Sequence, residues 1–198
     1  MQHRPFVDRE ALSLFTEHLQ PHTRGMLMLS NVLDLALPGS WSPRETSSFL
    51  MLTVPGVLGG YALPKPTLNH EVELGRRERC LIDKQSLFLD LYWEESRVAF
   101  EYDGGDHLDP RRAAEDKTRR NLLSAMGYRL LVVEKTHLAD ARLLDQQINV
   151  LARMLGVELE QPSDEIAEAR RKLRSYLFNP RHYAASPLTR PITLLPEN

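Results

Sequence analysis

The chain has 198 residues, of which 42% are hydrophobic and 26% charged, and its net charge is −2. That length supports one hydrophobic core with appendages. The near-balanced charge excludes nucleic-acid binding through an overall positive field and leaves only local basic patches.

The single cysteine, Cys80, excludes an intrachain disulfide and a zinc site built from clustered cysteines. As a lone thiol it is expected to be buried and inert. No apolar run is long enough to span a bilayer, and the opening residues MQHRPFVDRE lack the apolar stretch of a signal peptide. A cytoplasmic location away from membranes is the expectation.

Residues 8–20 carry Ala11, Leu12, Phe15 and Leu19 at helical spacing, and residues 26–36 continue as a second apolar, helical piece that Pro38 and Gly39 break. A further helix starts at 42-SPRE-45, with Ser42 as N-cap, Pro43 at the first helical position and Glu45 three after the cap. It is expected to end near Pro55 or Gly56. Tyr61 to Val72 holds two prolines and reads as an irregular or edge strand. The charged run 73-ELGRRER-79 is expected to loop outward.

Two strands at about 86–93 and 98–103 follow as a hairpin around the polar break Glu94 to Arg97. Residues 110–126 read as a helix ended by Gly127, then comes a strand at 128–134. One long amphipathic helix is expected over about 137–154. Ser163 caps a last helix over 164–178, and Pro180, Pro187, Pro191 and Pro196 argue for an extended tail. The order of elements from 42 to 155 fits a sheet with helices on its faces, with strand 128–134 parallel to strand 98–103 after a helical crossover. That arrangement puts Asp103 at the carboxyl end of a strand, where α/β folds collect ligands.

The hairpin carries the chemistry. Whether its loop has two residues or four, Asp90 lies opposite Glu101, at a separation of about 4.5–5.5 Å between Cβ atoms where like charges repel. Such a pair calls for a cation, a shared proton or a nearby base. Asp103 projects from the same face as Glu101. The three carboxylates offer oxygen ligands that suit Mg²⁺ or Mn²⁺. His107 follows across a Gly-Gly turn and is a candidate ligand or general acid–base. The basic residues of the next helix, Arg111, Arg112, Lys117, Arg119 and Arg120, are candidates for phosphate contact. Simpler readings stand beside these. Asp103-Gly104-Gly105 is an ordinary turn sequence, and Glu45 is explained by helix capping alone. His107 fits a surface loop. Arg119 can pair with Asp116 or Glu115 on its own helix. The patches Arg76, Arg77, Arg79 and Arg170, Arg171, Lys172, Arg174 fit solvated faces.

Taken in order, 42-SPRE-45, Asp90, 101-EYDG-104 with His107, 116-DKTR-119, 123-LSAMGY-128 and 129-RLLVV-133 resemble the DUF559 group of the PD-(D/E)XK nuclease superfamily, which is related to the very-short-patch mismatch-repair endonucleases. The resemblance covers about residues 42–135. It implies an α/β, restriction-endonuclease-like mixed sheet flanked by helices, spanning 41–157. A helical segment over 1–40 would precede it, and a helix and tail over 158–198 would follow. It also implies a divalent-metal-dependent DNA endonuclease, with Asp90, Glu101 and Asp103 at the metal and His107 assisting. Glu45 would be an added metal-shell residue. Two departures stand out. Asp103 replaces the superfamily's lysine, a charge that Lys117 could supply, and the segment between Val72 and Asp90 is longer and more charged than the pattern expects. The alternative is a non-catalytic nucleic-acid-binding or regulatory module of a defence or toxin–antitoxin system. The oligomeric state is open, a dimer included.

Overall fold

The structure, a computed structural model, describes residues 39–104 and 110–179. The helices expected at 8–20 and 26–36, His107, and the tail beyond Pro180 lie outside the described residues.

Ser42 opens helix α1 (Pro43–Thr53): its hydroxyl accepts the Glu45 N–H at 3.1 Å, and Pro43 fills the first helical position. The reciprocal half of the capping box is displaced by one residue, because the Glu45 carboxylate takes the N–H of Trp41, at 2.7 Å, instead of that of Ser42. Four strands follow, β1 (Thr67–Glu73), β2 (Ser86–Trp93), β3 (Val98–Asp103) and β4 (Arg129–Glu134), in the spatial order 1-2-3-4. β1 to β3 are antiparallel neighbours, and β4 lies parallel to β3. This is an α/β fold with a four-stranded mixed sheet flanked by helices. The crossover between β3 and β4 contains α3 (Pro110–Ala125), which ends where Gly127 turns left-handed (φ +85°) and Tyr128 N–H returns to the Leu123 carbonyl at 3.0 Å.

Elements α4 (Lys135–Ala139), α5 (Ala141–Leu155) and α6 (Asp164–Leu177) complete the described chain. The single helix expected over 137–154 is thus two. Asp140 is extended, and its carboxylate accepts the N–H groups of Arg142 and Leu143, so it closes one helix and caps the next. The run 73–79, expected to loop outward, contains one helical turn, α2 (Arg76–Arg79). Cys80 ends that turn and is exposed, not buried: among the described residues no layer covers this polar connector, and the thiol donates to the Arg76 carbonyl at 3.3 Å. No described helix is long and apolar enough to cross a membrane.

Two apolar clusters sandwich the sheet. Phe49 and Leu52 of α1, Ile148 and Leu151 of α5 and Leu177 of α6 pack with Leu91, Phe100 and Val133. On the other side, Leu122 and Leu123 of α3 pack with Leu87, Leu89, Tyr92 and Ala99. Residues two apart on a strand share a face. Leu89 and Leu91 nevertheless belong to opposite clusters, and so do Val72 and Leu68 on the neighbouring strand. The alternation therefore slips at Asp90 and at Asn69, and Asn69 is left-handed (φ +48°). The hairpin pairs Leu91 with Phe100, Tyr92 with Ala99 and Trp93 with Val98 around a four-residue loop, a register that brings Asp90 beside the segment Glu101–Tyr102.

The last helix belongs to this packing. Ser47 donates to the Leu177 carbonyl at 3.0 Å, Arg170 stacks 3.8 Å over the Tyr61 ring, and the Tyr61 hydroxyl donates to Asp145 of α5. Gly59 makes the close approach possible: it is left-handed (φ +95°), and a Cβ there would lie 2.4 Å from the Ala169 carbonyl oxygen. Gly59→Ala is expected to destabilise the protein by about 2–4 kcal/mol through strain and displacement of α6. Urea denaturation checks this, and an unchanged midpoint would mean that α6 does not rest on Gly59.

Candidate active site

Glu101 lies two residues beyond Ala99, so strand alternation turns it toward α3. On α3, Arg119 sits one turn before Leu122 and Leu123, the residues that seat the helix on the sheet. The two meet in a bidentate ion pair, with Nη1 2.6 Å from one carboxylate oxygen and Nη2 2.7 Å from the other. Nη2 also donates to the Phe88 carbonyl at 2.6 Å, so one guanidinium bridges β2 and β3. The next arginine of the helix, Arg120, donates to Asp103 at 2.7 Å. The hairpin itself fixes the far end of α3: Arg97 donates to the carbonyls of Met126 and Gly127.

Asp90 occupies the point where the β2 alternation slips. Its carboxylate accepts the Tyr102 N–H at 3.0 Å, standing in for a backbone carbonyl on the neighbouring strand. A cleft of about 220 Å³ opens there, lined among others by Asp90, Glu101, Asp103, Asp116, Arg119 and Arg120. It adjoins a groove of about 380 Å³ between residues 81–84 and α3, and Asp116 and Arg119 line both. Burial pushes the Asp90 carboxyl up to about 6, and the negative charges of Glu101 and Glu45 push the same way, against the Tyr102 N–H and Arg119. Burial acts to weaken the proton hold of Arg119, yet the hydrogen bonds and charge of Glu101, with the charges of Asp90 and Asp116, overcome it and raise its affinity for the proton.

Asp90, Glu101, Asp103, Arg119 and Arg120 thus line one cleft, with the two arginines paired to Glu101 and Asp103. Arg119 pairs across the fold with Glu101, and the expected pairing with Asp116 or Glu115 on its own helix gives way to it. Lys117, Arg111 and Arg112 are exposed on α3 and do not line the cleft. Glu45 is buried, and besides Trp41 it is held by Asn69, whose side-chain amide donates to it at 2.7 Å and to the Gly39 carbonyl at 2.6 Å. Its carboxylate acts on Asp90 through charge. Asn69 escaped the sequence reading; an Asn inside an otherwise regular strand, a residue type that tolerates left-handed backbone, is the signal that could have found it.

A hard cation prefers carboxylate oxygens, and the donor chemistry of Asp90 and Glu101 fits one. The present pairing does not leave the oxygens of Glu101 open, since Arg119 engages both, and Arg120 engages one oxygen of Asp103. Among the described residues, no three His, Cys, Asp or Glu side chains gather closely enough to hold a metal ion as the side chains stand.

Comparison with protein-family models, with curated proteins and with solved structures gives no match to this chain.

The raised Asp90 has a consequence for stability. Its ordinary value is 3.8, so between about pH 4 and pH 6 the folded state binds more protons than the unfolded one. Stability from this group is complete below pH 4 and falls as pH rises through 6, by about 2–3 kcal/mol in total. Asp90→Asn is expected to remove that fall. Urea denaturation of the chelator-treated protein across pH 4–7 checks it; parallel curves for wild type and variant would contradict the assignment.

Proposed function

We propose that this chain hydrolyses phosphodiester bonds in DNA as an endonuclease dependent on Mg²⁺ or Mn²⁺. The observation that carries the reading is the juxtaposition of Asp90 and Glu101 with two arginines in one cleft at the carboxyl end of β3. The ordered sequence resemblance to the PD-(D/E)XK nucleases supports it, and so does the α/β fold with its mixed sheet. Asp90 and Glu101 would hold the cation, which supplies a polarised phosphoryl oxygen and an acidified water.

The chain's own residues do the rest. Arg119 and Arg120 reach the cleft from α3 and offer planar donors suited to phosphate oxygens. The Tyr102 N–H orients Asp90, and Glu45 with Asn69 braces the negative side of the site from α1 and β1. The exposed Arg111, Arg112 and Lys117 extend the basic surface along α3, where the DNA backbone would run. Asp103 at the metal and His107 assisting keep the roles that the resemblance implies.

A second reading has one observation in its favour. Glu101 is fully engaged by Arg119, and the superfamily's lysine is Asp103 here, as a nuclease fold retained for nucleic-acid binding or regulation without cleavage would have it.

Cleavage of supercoiled, linear, single-stranded and mismatched DNA with Mg²⁺ or Mn²⁺ separates the two. Asp90→Asn and Glu101→Gln are each expected to lower cleavage about 100-fold or more. Full cleavage by both variants would overturn the nuclease reading. A folded wild type that binds DNA in a salt-dependent way and cuts none of these substrates would establish the second.

A further inference from the structure

Among the described residues, Arg119 conflicts most directly with a metal site, because it engages both oxygens of Glu101, and the conflict has a direction. Its guanidinium stands in for a cation at Glu101: it covers both oxygens of that carboxylate, and the charge of Asp90 acts on it as well. It is a cation built into the fold, neutralising a carboxylate that would otherwise stand uncompensated on a buried strand. The same guanidinium lines both the cleft and the adjoining groove, so an anion entering by either route meets it. A guanidinium pairs with a phosphate in the same two-pronged geometry that it uses with a carboxylate.

We infer that Arg119 is an exchangeable placeholder: it fills the cation position until a phosphate group arrives, then transfers to the phosphate and releases Glu101 to a divalent ion. The inference rests on the proposed hydrolytic reading and deepens it by setting the order of assembly. The substrate phosphate and the metal then bind cooperatively, because each relieves the charge imbalance that the other creates, and the coupling is the same measured from either side. Without phosphate, the metal must compete with a covalently tethered arginine, and its affinity is low. Arg120 is the poorer candidate for the exchange, because it makes one contact, to Asp103, and is the more exposed of the two arginines.

The test is the Mn²⁺ affinity of the full chain, read from the electron paramagnetic resonance of free Mn²⁺, with circular dichroism confirming the fold. Arg119→Gln is expected to bind Mn²⁺ at least about tenfold more tightly than wild type, a factor at the low end of typical coupling between sites. Adding Asp90→Asn to that variant is expected to abolish the gain. Arg119→Lys, which keeps the charge and loses the fork, should fall between and serves if the glutamine variant does not fold. A short phosphorothioate-linked DNA duplex should tighten Mn²⁺ binding to wild type and leave Arg119→Gln unmoved. Wild type and Arg119→Gln binding Mn²⁺ equally would overturn the placeholder and leave the metal site standing. Failure of every variant to bind Mn²⁺, with DNA or without, would overturn the metal-dependent reading and the placeholder with it.

Discussion

A carboxylate on a buried strand face requires a counter-charge, and at Glu101 the counter-charge is Arg119. The side chains are 10% and 20% exposed, so this pair lies nearer the buried limit than the surface one. Losing one partner of a buried pair costs about 3–5 kcal/mol, against about 0–1 kcal/mol for an exposed pair. The pair can form only if α3 lies across the sheet at one height and one rotation. Leu122 and Leu123 fix the rotation, and Arg97, reaching from the hairpin turn to the carbonyls at the end of α3, fixes the height. The carbonyl of Phe88 brings β2 into the same contact. Sheet, crossover helix and cleft are thereby parts of one arrangement.

The second carboxylate sits where the sheet is least regular. On both β1 and β2 the facing of side chains slips, at Asn69 and at Asp90, and the polar side chains there do work that backbone groups do elsewhere. Asn69 holds Glu45 and the Gly39 carbonyl, and Asp90 takes a strand N–H. Three acidic groups, Asp90, Glu101 and Glu45, are so brought into one electrostatic neighbourhood, in which Asp90 feels the other two. A protein selected for stability alone would place apolar residues at these positions, since a well-packed apolar substitute for a buried ion pair is often no less stable. Retaining the charges at a cleft is the pattern that functional sites follow.

Local signals in the sequence were reliable where one short stretch decides the outcome. The Ser42-Pro43-x-Glu45 start, the Gly127 stop, Ser163 and the two hairpin strands each depend on neighbours a few residues away, and each formed as expected. The proximity of Asp90 to Glu101 was legible for the same reason, because hairpin register follows from turn length. Outcomes set by tertiary contact were not legible. Arg119 has acidic residues at helical spacing on its own helix, yet it pairs with a carboxylate 18 residues away in sequence, on the sheet. Asp140 falls inside the single helix expected over 137–154, and its carboxylate instead interrupts that helix by capping the next one. The exposure of Cys80 depends on which layer covers residues 76–84, and no periodicity in that segment encodes it. The slip at Asn69 likewise needs two strands to be seen.

The central claim, a proposal, is that one cleft holds a cation position that Arg119 fills until a phosphate draws it away and a divalent ion takes its place. The measurement that tests this most directly is the anomalous scattering of Mn²⁺ in crystals grown with a phosphorothioate-linked DNA duplex. The account predicts an anomalous peak between the carboxylates of Asp90 and Glu101, with the Arg119 guanidinium turned to a phosphate. Arg119 still paired with Glu101 while DNA occupies the cleft, or a peak away from these two carboxylates, would contradict it.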